Sequence, residues 1–219
     1  MPSGSSQGDD FSNFVAAIVA GNGDAALKLL DALPQLTKMR AAQGATRQAP
    51  ERGYFDQIRH HMYAGDTALH IAAAAFQARI AEELMARGAD VRASNRRGAQ
   101  PLHYAVDGGP GLPVWDPVAQ AEIITMLIAA GADPNAVDKS GVAPLHRAVR
   151  NRCAAAVGAL IEGGADPNAP NKSGSTPLLL ATRSTGRGGS GSAGAKAQQQ
   201  EILRLLEKHG GGAQHERYL

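Results

Sequence analysis

The side chains with the widest chemical reach in this 219-residue chain are seven histidines and one cysteine. His70, His103 and His146 each stand in the phrase Leu-His-x-Ala, and imidazoles at a regular interval could bind a metal or relay protons. His60 and His61 are adjacent, yet no second pair of Cys, Asp or Glu stands at ligand spacing, so no metal site is expected. Cys153 has no histidine nearby in sequence; it reads as a small buried hydrophobe or an idle thiol in preference to a nucleophile. Asp107 and Asp116 share a loop without an indicated acid–base partner. Gly189-Ser-Gly-Ser-Ala-Gly194 satisfies G-x-G-x-x-G, and a helix starting near Ala195 could turn its amides to a phosphate. A dinucleotide site, however, needs a strand before the glycines, where this chain has a helical pattern, and no GK[ST] is present. A flexible connector is the better reading. No catalytic set emerges, and neither an enzyme nor a cofactor is expected.

The elements that position these residues follow from a phrase that returns four times. It reads Gly65-Asp-Thr-Ala-Leu-His-Ile-Ala, Gly98-Ala-Gln-Pro-Leu-His-Tyr-Ala, Gly141-Val-Ala-Pro-Leu-His-Arg-Ala and Gly174-Ser-Thr-Pro-Leu-Leu-Leu-Ala, with leading glycines 33, 43 and 33 residues apart. A second phrase follows the first three: Gly88-Ala-Asp-Val, Gly131-Ala-Asp-Pro-Asn and Gly164-Ala-Asp-Pro-Asn. Proline is tolerated in a helix's first turn and Thr67 or Thr176 can cap it, so each phrase opens a first helix. Apolar pairs four apart, such as Ile80 with Leu84, make one face of a second helix that glycine closes. The two phrases together resemble the ankyrin repeat, with its period of about 33 residues. The resemblance covers residues 65–210 closely and 10–33 weakly, and the long loops are similar in style to bacterial members.

The resemblance implies an all-α ankyrin-repeat solenoid of stacked helix-turn-helix units with finger-like β-turn loops. Helices this short are marginal alone, so each unit must be stabilised by its neighbours. It also implies that the repeated histidines hydrogen-bond backbone between repeats. The expected layout is a flexible N-terminus (1–9), a degenerate capping repeat (10–34), an extended insertion finger (35–64) and a repeat (65–97). A repeat with an inserted loop follows (98–140, loop 107–117), then a repeat (141–173), a C-terminal repeat with a Gly-rich loop (174–211, loop 184–197) and a flexible tail (212–219).

Insertions are more informative than matches, because loops commonly carry function. In the finger, five basic residues between Lys38 and Arg59 face only Glu51 and Asp56, with aromatics interleaved. That mixture suits nucleic acid or an acidic peptide; a packed Ω-like loop anchored by Tyr54, Phe55 and Ile58 is the favoured alternative. The 107–117 loop carries the only tryptophan, Trp115, which is either presented for a partner or folded onto neighbouring helices.

A net charge of +2 says little by itself, but its distribution is informative. Under the geometry implied by the resemblance, basic residues from 95 to 187 fall in fingers, first helices or following loops, and are expected to lack the local acidic partners seen in Asp24 with Lys28 or Glu83 with Arg87. The expectation is a non-catalytic module whose basic concave groove binds an acidic segment of another protein. Candidate contact residues are Tyr63, Arg96, Arg97, Tyr104, Trp115, Lys139, Arg147, Arg150, Lys172 and Arg183. Alternatives are anion or nucleic-acid binding by the same groove, and an accessory or immunity-type subunit that regulates a partner enzyme. No apolar stretch reaches the roughly 20 residues of a membrane helix. The start has no signal-like segment, and a single cysteine fits a cytoplasmic, monomeric protein.

Overall fold

The computed structural model describes residues 7–113, 115–183 and 192–210. The expected flexible segments therefore fall mostly outside the described residues, as do the first three residues of the G-x-G-x-x-G stretch. The chain divides into two compact units, residues 1–105 and 106–219.

The first unit opens with α1 (Gln7–Val19), so helix begins within the stretch expected to be flexible. Phe11, Phe14, Val15 and Ile18 lie three and four apart and are all buried, the stripe of a helix with one apolar face. Gly21 takes a positive φ of 69° at the turn, and Asn22 then caps α2 (Gly23–Ala32) by accepting from the Ala25 amide at 3.1 Å. A 3₁₀ turn (Pro34–Thr37) leads into the enlarged finger. There, β1 (Tyr54–Phe55) and β2 (His60–His61) pair antiparallel, with Tyr54 opposite His61 and Phe55 opposite His60. The packed loop expected from the sequence is thus a short hairpin. Residues 41–45 run beside it: Ala45 N–H donates to Met62 O and Met62 N–H to Gly53 O, both at 2.8 Å. Gly44 is required here because a β-carbon would collide with the Met62 backbone. α3 (Ala68–Ala74), α4 (Ala78–Ala86) and α5 (Pro101–Ala105) complete the unit, α3 packing on α1, α4 and α5.

The second unit contains α6 (Pro117–Ala129), α7 (Pro144–Asn151), α8 (Ala154–Glu162), α9 (Pro177–Thr182) and α10 (Ala193–Lys208). Asp116 caps α6, accepting from Val118 and Ala119 amides at 2.9 and 3.0 Å, and Pro117 occupies the first turn. Ile123, Ile124 and Leu127 are fully buried from that helix, and Val157 and Leu160 from α8 packed against it. Ser192 caps α10, whose Ala195, Ile202 and Leu206 are buried.

Candidate functional site

At the start of the first complete repeat, Asp66 is 0% exposed, so its carboxylate must be paired within the protein. It accepts from the Tyr63 backbone N–H at 2.6 Å, from the Tyr104 hydroxyl at 2.8 Å and from the Asn95 side-chain amide at 2.8 Å. Asn95 donates also to the Tyr104 oxygen at 2.9 Å, while its own carbonyl accepts from the Arg97 N–H at 2.8 Å and the Ala99 N–H at 3.1 Å. One buried pair, Asp66 and Asn95, thus fixes the backbone at both Tyr63 and Arg97.

Those two residues face each other at the surface. The Arg97 guanidinium lies 4.8 Å from the centre of the Tyr63 ring and that of Arg96 lies 5.9 Å from it, within cation–π range. Arg96 is held further by donating to the Ala45 carbonyl at 2.6 Å. The His61 ring packs against Tyr54 with centres 4.6 Å apart and planes tilted by 48°. Burial pushes the His61 imidazole below its ordinary range, and His60 and Arg97 add to the effect. Together with the finger, these groups enclose an open cleft of about 390 Å³, lined by Ala45, Thr46, Arg47, Pro50, His61, Tyr63, Arg96 and Arg97. Three arginines line it, and no carboxylate does.

The repeated histidines are arranged for structure. His70 is fully buried; its Nε2 lies 3.1 Å from the Ala99 carbonyl, so that nitrogen donates, and Nδ1 accepts from the Thr67 N–H at 3.1 Å. His146 does the same with the Ser175 carbonyl and the Ala143 N–H, both at 3.2 Å. Each imidazole therefore staples its own helix start to the following finger, using a backbone carbonyl 29 residues on. This one-repeat step coincides with the family comparisons: residues 118–216 match the model of three tandem ankyrin repeats and residues 64–96 that of the single ankyrin repeat.

The chain belongs to the ankyrin-repeat family. No curated protein matches it. Ankyrin repeats generally mediate protein–protein interaction and are typically non-catalytic. No helix among the described residues is long and apolar enough to cross a membrane, and no group of three or more His, Cys, Asp or Glu among them is placed to hold a metal ion.

Within this ankyrin chain the sequence-derived candidates separate. Tyr63, Arg96 and Arg97 converge on the cleft of the first unit. Tyr104 does not: it is 1% exposed, its hydroxyl held by Asp66 and Asn95 and its ring 4.5 Å from His60, so its expected place as a groove contact is corrected to one in the core. In the second unit Lys139, Lys172 and Arg183 are exposed and Arg150 is half-buried, with the Lys172 ammonium donating to the Lys139 carbonyl at 2.8 Å. Arg147 differs from the expectation that groove arginines lack acidic neighbours. Its guanidinium bridges Asp107 at 3.2 Å and Asp138 at 2.9 Å, and its side chain is only 19% exposed. Desolvation acts to raise the Asp138 carboxyl, but the Arg147 pairing and hydrogen bonds from the Ser140 and Val142 N–H groups hold it below its usual range.

Trp115 folds inward, its indole N–H donating to the Gln120 carbonyl oxygen at 3.0 Å. The same oxygen accepts from the buried Cys153 thiol at 2.8 Å, and burial pushes that thiol up. Trp115 remains half-buried, while the buried thiol is not poised as a nucleophile. The residues that sequence reasoning missed are Asp66 and Asn95, and also His61 and Arg47 as part of the cleft. A polar residue beside each finger glycine was visible, but the partners lie 29 and 38 residues away.

Proposed function

We propose that this protein is a non-catalytic binding module that captures an acidic segment of another protein through basic side chains on its fingers. The observation that carries the reading is the cleft of the first unit, where Arg47, Arg96 and Arg97 meet Tyr63 without a carboxylate in the lining. Arginine and tyrosine are the residue types most often found as energetic anchors in protein interfaces, since each offers large contact area together with directed hydrogen bonds. Cation–π contact with Tyr63 restricts Arg97 before a partner arrives, which lowers the entropy lost on binding. In the second unit, exposed Lys139, Lys172 and Arg183 add positive charge on finger and loop positions, which would speed encounter with an acidic partner. Arg147 is excluded from this role, because Asp107 and Asp138 already neutralise it.

Capture from cells of the native host, comparing the wild-type chain with an Arg96→Glu, Arg97→Glu, Lys139→Glu variant, tests the reading. The same proteins should be lost from the variant that the wild type retains, and their retention should weaken with salt. Equal yields from both chains would refute it. Recovery of nucleic acid as the principal ligand, with a steep salt dependence, would replace it with the nucleic-acid alternative.

A further inference from the structure

The cleft of the first unit has a donor arrangement more specific than general basicity. The Arg97 guanidinium carbon sits over the Tyr63 ring, 4.8 Å from its centre, and a guanidinium carries five N–H donors to share among acceptors. Among the described residues the Arg97 and Arg47 side chains donate to no protein acceptor, and no acidic side chain lines the cleft to compete for them. Arg96 keeps part of its fork beyond the one bond to Ala45.

We infer that this cleft seats a phosphate monoester carried on a side chain of the partner protein. The inference rests on the acidic-partner reading above and names its anchor. A carboxylate offers two oxygens in one plane, and a single arginine fork is enough to satisfy it. Here three guanidinium groups line one cleft, a better match for a group with three acceptor oxygens and a charge of about −1.5 to −2 at neutral pH. Size points the same way. A cleft of about 390 Å³ lies in the range typical of organic-ligand sites and exceeds what a bare anion needs. Pro50, Ala45 and the ring of Tyr63 supply apolar surface for the group that bears the phosphate, and the Tyr54, His61, Tyr63 run favours an aromatic one.

The test is a titration of the full chain with phenyl phosphate, followed by NMR of backbone amides and His, Tyr and Arg side chains. Benzoate, inorganic phosphate and a glutamate-rich peptide are run in parallel. Phenyl phosphate is expected to saturate, to move signals of His61, Tyr63, Arg96 and Arg97, and to bind about tenfold or more tightly than benzoate or inorganic phosphate. Arg97→Gln should weaken it by about tenfold or more, the loss expected for one hydrogen bond between charged groups. Arg47→Gln, at an exposed position with no protein partner, checks the same point without risk to folding. Absence of saturation, or equal affinity for benzoate, overturns the assignment. Equal affinity for inorganic phosphate overturns the organic carrier. Unchanged binding in both variants places the ligand elsewhere and also overturns it. If the glutamate-rich peptide binds through Arg97 while phenyl phosphate does not, the phosphate assignment fails and the acidic-partner reading stands. If neither probe binds and the charge-reversed variant still captures its partners, both fail.

Discussion

Replacing Asp66 with asparagine changes one oxygen to an amide nitrogen at a position that is 0% exposed, with almost no change of shape. Three donors converge on the native carboxylate: the Tyr63 N–H on Oδ2 at 2.6 Å, the Tyr104 hydroxyl on Oδ2 at 2.8 Å, and the Asn95 amide on Oδ1 at 2.8 Å. Asparagine keeps a single acceptor oxygen. With that oxygen toward Tyr63 and Tyr104, its new NH₂ meets the Asn95 NH₂; turned the other way, it meets the Tyr63 N–H. Either rotamer orphans at least one buried donor, at a cost of about 1–3 kcal/mol, and the remaining bonds lose the assistance of the negative charge. Burying a neutral amide is cheaper than burying a carboxylate, which offsets part of this. The expected net loss is about 2–4 kcal/mol, a large share of a domain stability of about 5–15 kcal/mol yet compatible with folding. Urea unfolding followed by far-UV circular dichroism should show a midpoint lower by about 1–2 M, for a slope of about 2 kcal/mol per molar. Trp115 fluorescence reports the unit of residues 106–219 and is the wrong probe for this change. Because Asp66 and Asn95 also position Tyr63 and Arg97, phenyl phosphate binding should weaken although no ligand-facing side chain has changed. An unchanged or higher midpoint would show that the network does not hold this repeat junction.

Two further outcomes follow from groups that burial keeps neutral. The His70 and His146 imidazoles are held below the ordinary value near 6.5, chiefly by desolvation. Between that value and the depressed one the unfolded chain binds protons that the folded chain does not, so stability should be full above about pH 7 and fall as pH drops through 6.5. Urea midpoints at pH 7.5, 6 and 5 check this, and a flat profile would contradict the neutral tautomer read from the hydrogen bonds. The Cys153 thiol is buried, bonded to Gln120 and pushed up by desolvation, so a chromogenic disulfide reagent should label it only as fast as the chain opens. Labelling of the folded protein at the rate of a free thiol would sink that view.

The fold was legible because it is written locally. Helix-opening prolines, closing glycines and apolar residues four apart recur at one period, and each acts within its own turn. The role implied for the repeated histidines matches at His70 and His146, where a period of 33 places each imidazole beside the equivalent carbonyl of the next finger. Charge pairing was legible only where it is local. Glu83 and Arg87 do pair at 2.6 Å, but Arg87 also reaches Asp31, and Asp24 pairs with Arg79 at 3.1 Å. Arg147 was misjudged for the same reason, since its partners lie nine residues away at Asp138 and forty away at Asp107. A search at helical spacing cannot see either. Tyr104 reads as a groove residue by its place in the repeat, and only the buried carboxylate of Asp66 explains why a tyrosine hydroxyl belongs inside.

The enlarged finger and the buried polar pair depend on one another. Residues 41–45 are tied to the repeat by the Ala41 N–H to the Asp66 carbonyl at 2.7 Å and by the Gly65 N–H to the Ala41 carbonyl at 2.8 Å. The Arg40 guanidinium adds donations to the Gly65 and Ser94 carbonyls at 3.3 and 3.0 Å. The finger that contributes Arg47 and Pro50 is therefore anchored at Asp66, whose side chain sets Tyr63, and at Ser94, next to the Asn95 that sets Arg97. An insertion hung on a flexible stem would present the same charges with a large entropic cost on binding. Anchoring it to the helix-opening phrase converts a sequence irregularity into a cleft whose walls are held in place before any ligand arrives. That coupling is why a change at a buried carboxylate should be felt at an exposed arginine.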